Sequence, residues 1–223
     1  MGKKVRISPS IIAVQYNNED KLKEALDVIR SSRLSLLHLD VMDGKFVPAK
    51  HLDSNFVQKM REQTDFILDV HLMVQNPENV IQEYIDAGAD ILTIHAEATS
   101  DTRNTLQKIR SSGVLAGVAI KPDTPVSAIK KLIDEGLVDM VLVMSVEPGA
   151  CGRPFDQRAL EKIRELRTYS SKLDIEVDGG INNDNLPSVV DAGANLVVSG
   201  SHIFGAVDPK AVIKSMKGYR TKG

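Results

Sequence analysis

A closed (β/α)8 barrel, or TIM barrel, is the fold that this sequence predicts, and we expect it to span residues 1–223 as a single domain. Three observations support the prediction. Short apolar runs alternate strictly with amphipathic runs, which is typical of a parallel sheet with helical crossovers. The alternation repeats eight times, the number of units that closes a barrel. The glycine-rich fingerprint of dinucleotide-binding sheets does not follow the first strand, which disfavours a dinucleotide-binding domain.

The eight predicted strands are short runs rich in β-branched and other apolar residues, as expected for strands that are buried on both faces. They comprise residues 5–12, 36–41, 66–72, 91–95, 114–120, 140–145, 175–178 and 196–199. A predicted helix follows each strand. The helices comprise residues 19–31, 54–63, 77–88, 102–112, 125–135, 155–170, 183–192 and 209–217. In the first helix, Leu22, Leu26 and Ile29 recur at helical spacing, and in the third Pro77 occupies a favoured first position.

The composition argues against several classes of partner. The chain carries 28 basic and 30 acidic side chains spread along its length, so we expect no nucleic acid partner. No run is apolar for long enough to span a bilayer and the N-terminus does not resemble a signal peptide, so we expect no membrane partner. The single cysteine, Cys151, excludes an internal disulfide and fits a reducing compartment. We therefore expect a cytoplasmic protein, and we also expect a homo-oligomer.

Polar residues near the ends of three predicted strands indicate a metal site. His38 and Asp40 alternate with apolar residues on the second strand and therefore project from one face. Burying an imidazole beside a carboxylate costs free energy unless the two are bound, either to each other or to a divalent metal. His71 and Asp178 lie on the third and seventh strands, and the carboxyl ends of all strands meet at one mouth of a barrel. The four residues together predict a metal centre with two histidines and two carboxylates.

Such a centre suits chemistry at a carbon beside a carbonyl group. A divalent ion can hold the carbonyl and the adjacent hydroxyl oxygen of a ketose and stabilise the enediolate formed by proton loss. Asp40 and Asp178 come from strands on roughly opposite sides of the predicted metal. One carboxylate could then remove a proton from one face of the carbon while the other returns a proton to the opposite face. This arrangement predicts epimerisation rather than hydrolysis.

Glycine-rich loops follow the sixth, seventh and eighth strands and predict a phosphate site. The residues concerned are Gly149, Gly152, Gly179, Gly180, Gly200 and Ser201. Barrels often bind phosphate at this position through exposed backbone N–H groups and the start of a short helix. For any single glycine, ordinary turn geometry is the alternative explanation.

The ordered motifs resemble the ribulose-phosphate 3-epimerase family along nearly the whole chain. They are SPS at residues 8–10, LHLDVMDGKFVP at 37–48, DVHLMV at 69–74, HAE at 95–97, MSVEPG at 144–149, VDGGI at 177–181 and SGS at 199–201. The resemblance implies zinc, or else iron, manganese or cobalt, on the four predicted ligands. It implies that Asp40 and Asp178 are the acid/base pair and that Ser10 lies near the substrate. It further implies methionines along the enediolate, namely Met42, Met73 and Met144.

The implied reaction converts D-ribulose 5-phosphate to D-xylulose 5-phosphate, but two loops depart from the family pattern. Residues 49–53 read Ala-Lys-His-Leu-Asp in place of a stretch like Asn-x-Thr-x-Gly, and residues 150–153 read Ala-Cys-Gly-Arg where an aromatic residue, two glycines and glutamine are usual. Cys151 would lie either beside the phosphate or under Phe155. These departures leave a six-carbon ketose phosphate, such as allulose 6-phosphate, as an alternative substrate. A barrel lyase for phosphate sugars and a catalytically inactive sugar-phosphate-binding barrel are the alternatives from other classes.

Overall fold

The computed structural model describes residues 4–149 and 152–221. Their strands are β1 (Arg6–Pro9), β2 (Leu36–Asp43), β3 (Lys50–His51), β4 (Ile67–Met73), β5 (Ile91–His95), β6 (Leu115–Ile120), β7 (Met140–Met144), β8 (Asp174–Asp178) and β9 (Leu196–Ser199). The sheet runs in the order β1, β9, β8, β7, β6, β5, β4, β2, with β3 on the outer side of β2. A parallel bridge between Ser10 and His38 joins β1 to β2 and closes the ring. The predicted (β/α)8 barrel is confirmed.

The helices pack around the outside of the barrel. They are α1 (Glu19–Ser31), α2 (Ser54–Gln63), α3 (Ile81–Asp86), α4 (Thr102–Ser111), α5 (Lys130–Asp134), α6 (Arg158–Tyr169), α7 (Leu186–Ala192), α8 (Ser201–Phe204) and α9 (Pro209–Met216). Helix α1 begins where the side chain of Asn18 accepts hydrogen bonds from the first-turn N–H groups of Asp20 and Lys21. Its apolar stripe, including Leu22 and Ile29, is buried in the main core. Within the described residues, none of the helices has the length and apolar character that crossing a membrane requires.

The main differences from the predicted elements occur at prolines and in very short segments. The sequence predicts single helices over 77–88 and 125–135, whereas each region starts with a 3-10 turn, Pro77–Asn79 or Val126–Ala128, before α3 or α5 begins. Proline fixes the first turn, which then closes with tighter hydrogen bonds. The first strand ends at Pro9 rather than at residue 12, because a 3-10 turn, Ile11–Ala13, begins two residues later. Strand β3 and helix α8 are too short to produce a periodic pattern.

Inward-facing side chains form layers inside the barrel. The lowest buried layer is apolar and comes from alternate strands, as is typical of the fold. It consists of Leu36, Ile91, Met140 and Leu196. The strand register places a polar layer directly above, which consists of Ser8, Asp69, Gly117 and Glu176. The three side chains of this second layer are fully buried, so the base of the site is built from groups that can form hydrogen bonds.

Candidate active site

The four predicted metal ligands converge at the C-terminal mouth of the barrel. Strand β2 provides His38 and Asp40, β4 provides His71 and β8 provides Asp178. One donor atom from each residue lies within 4.8 Å of the donor atoms of the other three. Neutral imidazole nitrogens and carboxylate oxygens together form a donor set that divalent transition metals prefer. The sequence-based prediction of a candidate ligand cluster therefore matches the geometry, while the role of each residue stays a prediction.

Distances within the cluster fit a metal ion. The Oδ1 atom of Asp40 lies 3.3 Å from Nε2 of His38 and 3.2 Å from Nδ1 of His71. Tetrahedral ligands that are each about 2.0–2.1 Å from zinc lie roughly 3.3–3.4 Å from one another. Among the described residues, His38 Nε2 has no well-oriented hydrogen-bond partner, although the imidazole is fully buried. Because a buried polar atom without a partner is costly, this nitrogen is well suited to bind an ion.

The two carboxyl groups of the cluster have pKa values displaced in opposite directions. Burial opposes ionisation of Asp40, but the adjacent His38 and His71 hold the pKa of its carboxyl group well below the usual value. Burial and the negative charge of Asp40 raise the pKa of Asp178 to about 6. The hydroxyl of Ser10 donates a hydrogen bond of 2.6 Å to Oδ2 of Asp40 and so fixes the orientation of that carboxylate. Two carboxyl groups whose environments separate their pKa values are typical of an acid–base pair.

Behind the two histidines lie residues for which no role was predicted from the sequence. Asp69 accepts hydrogen bonds from Nδ1 of His38 at 2.7 Å and from the Ser8 hydroxyl at 2.9 Å. Burial alone would lower the pKa of His38, but the carboxylates of Asp69 and Asp40 raise it well above its usual value. Burial and the charge of Asp69 likewise raise the pKa of Glu176 in the polar layer. Strand alternation could have indicated Asp69, because it lies two residues before His71 and faces the same side of β4.

A second hydrogen-bonded group supports His71. Its Nε2 lies 2.9 Å from Nε2 of His95, and Nδ1 of His95 lies 3.2 Å from a carboxylate oxygen of Glu97. Both histidines are completely buried, and the Glu97 side chain is 22% exposed. His95 and Glu97 belong to the HAE segment at 95–97, but the motif alone did not show that His95 contacts a candidate ligand.

A cavity of about 260 Å³ opens above the cluster. Asp40 and Asp178 line it, and so do all of the residues predicted to bind substrate. These are Ser10, Met42, Met73, Met144, Gly149, Gly152, Gly179, Gly180, Gly200 and Ser201. The geometry therefore brings the predicted binding residues to one space directly above the candidate metal centre, and their contacts with substrate stay predictions.

The cavity wall requires glycine at position 180. Gly180 has a φ of 62°, a conformation that residues with a side chain rarely adopt. A Cβ atom there would lie 2.6 Å from the carbonyl oxygen of Arg153 and from the backbone nitrogen of Phe155. The side-chain amide of Asn185 donates a hydrogen bond of 2.8 Å to the Gly180 carbonyl oxygen. The loop after β8 is thus held with its backbone close to the loop after β7.

Of the two loops that depart from the family pattern, the structure describes residues 49–53 and residues 152–153. Residues 49–53 include β3, which runs antiparallel to β2 and places His51 opposite Met42. The Tyr16 hydroxyl lies 2.7 Å from Nδ1 of His51, which ties this segment to the loop after β1. Ala150 and Cys151 lie outside the described residues, so both interpretations of Cys151 remain predictions.

Comparisons with known proteins agree with this picture. Residues 6–204 match the family model described as the ribulose-phosphate 3 epimerase family. A ribulose-phosphate 3-epimerase of Bacillus subtilis is 39% identical over 219 residues, which cover 96% of this chain and 99% of that protein. A chloroplastic ribulose-5-phosphate-3-epimerase of Arabidopsis thaliana is 41% identical over 217 residues, which cover 95% of this chain and 75% of that protein. The structure of a 3-hexulose-6-phosphate synthase from Salmonella typhimurium superposes on this chain with a TM-score of 0.69 and a sequence identity of 18%, and the match covers 95% of this chain and 96% of that one. At this identity the similarity shows only that the fold is shared.

Proposed function

The chain belongs to the ribulose-phosphate 3-epimerase family, and from this premise we propose that it inverts C3 of D-ribulose 5-phosphate to give D-xylulose 5-phosphate. It is an epimerase, and therefore an isomerase of a phosphorylated carbohydrate. The observation that carries the proposal is the cluster of two histidines and two aspartates beside a cavity of about 260 Å³. A six-carbon ketose phosphate is not favoured, because the family match and the curated relatives extend over most of the chain.

We propose that His38, Asp40, His71 and Asp178 hold one divalent ion, with zinc as the first candidate and iron, manganese or cobalt as the others. The separations of 3.2 and 3.3 Å between donor atoms support this assignment. When bound, the ion supplies positive charge that stabilises the two enediolate oxygens. The choice among the metals depends on the affinity and the supply of each ion rather than on the donor set alone.

Asp40 and Asp178 are the proposed acid and base. They come from β2 and β8, which are separated around the barrel by β1 and β9, so their carboxyl groups approach the cavity from different sides. An ionised carboxylate accepts the C3 proton, and the opposite carboxyl group, carrying a proton, donates it to the other face. The reverse reaction exchanges the two roles. The Ser10 hydrogen bond keeps the Asp40 carboxylate in position during both transfers.

The residues of the cavity walls would bind the substrate and would take no part in proton transfer. The three methionines are between 1% and 3% exposed and would cover the enediolate with polarisable surfaces that carry no acidic proton. Excluding water in this way protects the intermediate from side reactions. The phosphate would bind backbone N–H groups of the loops after β8 and β9 and the Ser201 hydroxyl. A cytoplasmic location and a homo-oligomeric assembly remain predictions.

The proposed function is tested by an epimerisation assay across a panel of ketose 5- and 6-phosphates, with the metal content of the protein measured in parallel. We expect the highest kcat/KM with D-ribulose 5-phosphate, one divalent ion per chain, and loss of activity on chelation. His71→Ala should lose the metal while it keeps its fold, whereas the control His202→Ala should keep both. Full turnover by protein shown to contain no metal, or a higher kcat/KM with a six-carbon substrate, would contradict the proposal.

A further inference from the structure

A line of hydrogen bonds leads from the candidate metal centre to the protein surface. It begins at Nε2 of His71, which lies 2.9 Å from Nε2 of His95. It continues from Nδ1 of His95 to Oε2 of Glu97 over 3.2 Å. The other carboxylate oxygen of Glu97 accepts a hydrogen bond of 2.8 Å from the backbone N–H of Lys121. The line therefore ends in a carboxylate that is anchored to the backbone of the loop after β6.

The chemistry of the groups fixes the direction of each bond. A carboxylate can only accept, so Nδ1 of His95 must carry the proton that it donates to Glu97. A neutral imidazole carries one N–H proton, so Nε2 of His95 is left as an acceptor. Nε2 of His71 must then be the donor between the two rings. The remaining nitrogen of His71, Nδ1, keeps a lone pair and lies 3.2 Å from Asp40 Oδ1, within the cluster.

The surroundings of Glu97 favour its ionised form, which is the form that accepts both hydrogen bonds. Burial opposes ionisation of Glu97, but the hydrogen bonds from His95 and from the Lys121 N–H lower the pKa of its carboxyl group to about 2. Glu97 is therefore the charged end of the line.

Packing shields the two histidines of the line from water. The Phe46 ring lies against His95, with the ring centroids 4.9 Å apart, and the Lys121 ammonium lies 4.3 Å from the centroid of Phe46. Hydrogen bonds that are shielded from solvent are stronger than exposed ones. The separation of 2.9 Å between the two ring nitrogens is that of a hydrogen bond. It is too short for a zinc ion between them, because two ligands of one zinc ion lie roughly 3.3 Å or more apart.

We propose that Glu97 and His95 are positioning residues, which hold His71 in the tautomer whose Nδ1 faces the metal. They act through hydrogen bonds and do not themselves bind the ion. Partners of this kind orient the ring of a ligand and raise its basicity, and their loss typically weakens metal binding 10- to 100-fold. The inference rests on the proposed metal site and adds the residues that prepare one of its ligands.

The first test is the tautomer of His95 in the zinc-loaded protein, read from the ring nitrogen resonances of 15N-labelled histidine. We expect His95 to be protonated at Nδ1 and unprotonated at Nε2. A His95 ring protonated at Nε2 could not accept a hydrogen bond from His71, and this result would overturn the inference without affecting the proposed epimerase activity.

The second test is the zinc dissociation constant of Glu97→Gln, measured by competition with a chelator. The amide of Gln can donate as well as accept, so it no longer dictates the His95 tautomer, and we expect zinc to bind 10- to 100-fold more weakly. The matched control is Asp139→Asn, since Asp139 also accepts a backbone N–H, from Ala116, but on the side of the barrel where β6 begins. We expect the control to bind zinc within twofold of the wild-type protein.

A second variant covers the case in which Glu97→Gln does not fold. His95→Phe keeps a ring under Phe46 but removes the acceptor for His71, and it should also weaken zinc binding at least 10-fold. If either folded variant binds zinc as tightly as the wild-type protein, the inference fails. If the wild-type protein binds no metal while it epimerises the substrate, the proposed metal site fails instead.

Discussion

Asp69 holds His38 through a hydrogen bond of 2.7 Å between the imidazole Nδ1 and the carboxylate Oδ2. Both side chains are completely buried, and the pair lies below the candidate metal centre. Because the carboxylate accepts, Nδ1 carries the proton and Nε2 is left to face Asp40, 3.3 Å away. The hydrogen bond inside the barrel therefore determines that Nε2 of His38, rather than Nδ1, is free to bind a metal.

Asp69→Asn tests this relationship. An amide is a weaker hydrogen-bond acceptor than a carboxylate, so we expect the zinc dissociation constant to rise 10- to 100-fold. The measurement is competition with a chelator, accompanied by thermal unfolding to show that the variant folds. Asp174→Asn, at the opposite end of β8 from the site, is the matched control and should leave zinc binding within twofold. Unchanged affinity in a folded Asp69→Asn protein would mean that His38 needs no such support.

The two proposed proton-transfer groups are tested by Asp40→Asn and Asp178→Asn. If each carboxyl group serves one face of C3, either substitution should stop net epimerisation, with kcat reduced at least 100-fold. One variant should still exchange the C3 hydrogen with heavy water, because the surviving base can form the enediolate without completing the inversion. Metal content must be measured in both, since both residues are also proposed ligands. Normal turnover by either metal-loaded variant would exclude a scheme with two bases.

The barrel and the candidate ligands could both be predicted from the sequence because both depend on the local pattern of residues along each strand. Alternation along each strand is a local property, so His38 and Asp40 could be assigned to one face of β2 from the sequence alone. Convergence at the mouth then followed from the parallel arrangement. The partners of the ligands depend instead on the register between neighbouring strands, which places Asp69 opposite His38. The pairs Asp69–His38 and His95–His71 could not be identified until this register was known.

Asp43 is expected to make stability depend on pH. Its carboxylate accepts hydrogen bonds of 2.8 and 2.9 Å from the N–H groups of Lys45 and Phe46, and one of 2.9 Å from that of Gln75, which ties the loop after β2 to the end of β4. Burial opposes ionisation, but these N–H groups lower the pKa of Asp43 below its usual value. A lowered pKa in the folded state stabilises the protein above the unfolded pKa of about 3.9, and the effect disappears as the pH falls through the folded value.

The corresponding measurement is urea unfolding of the wild-type protein and Asp43→Asn between pH 7 and pH 3. At pH 7 we expect the substitution to lower the free energy of unfolding by about 1 kcal/mol, since the amide replaces hydrogen bonds to a charged acceptor with weaker ones. The difference should shrink below pH 4, where this carboxylate binds a proton in the unfolded chain before it does so in the folded protein. A difference that stays constant over the whole range would show that the charge of Asp43 contributes nothing.

Gly180→Ala tests the proposed phosphate site, and Gly136→Ala is its matched control. The φ angles are similar, 62° at Gly180 and 68° at Gly136, so alanine should incur a comparable conformational cost of about 1–2 kcal/mol at each position. At Gly136 a Cβ atom would meet nothing within 4 Å among the described atoms, whereas at Gly180 it would lie 2.6 Å from backbone atoms of Arg153 and Phe155. Gly180 also lines the cavity.

We therefore expect the control Gly136→Ala to lower stability and leave KM unchanged. Gly180→Ala should lower stability further and raise KM for the phosphorylated substrate at least tenfold, with a smaller effect on kcat, because the loop moves away from the bound phosphate. Steady-state kinetics and urea unfolding of both variants provide the comparison. Equal KM values for the two would place the phosphate elsewhere in the cavity.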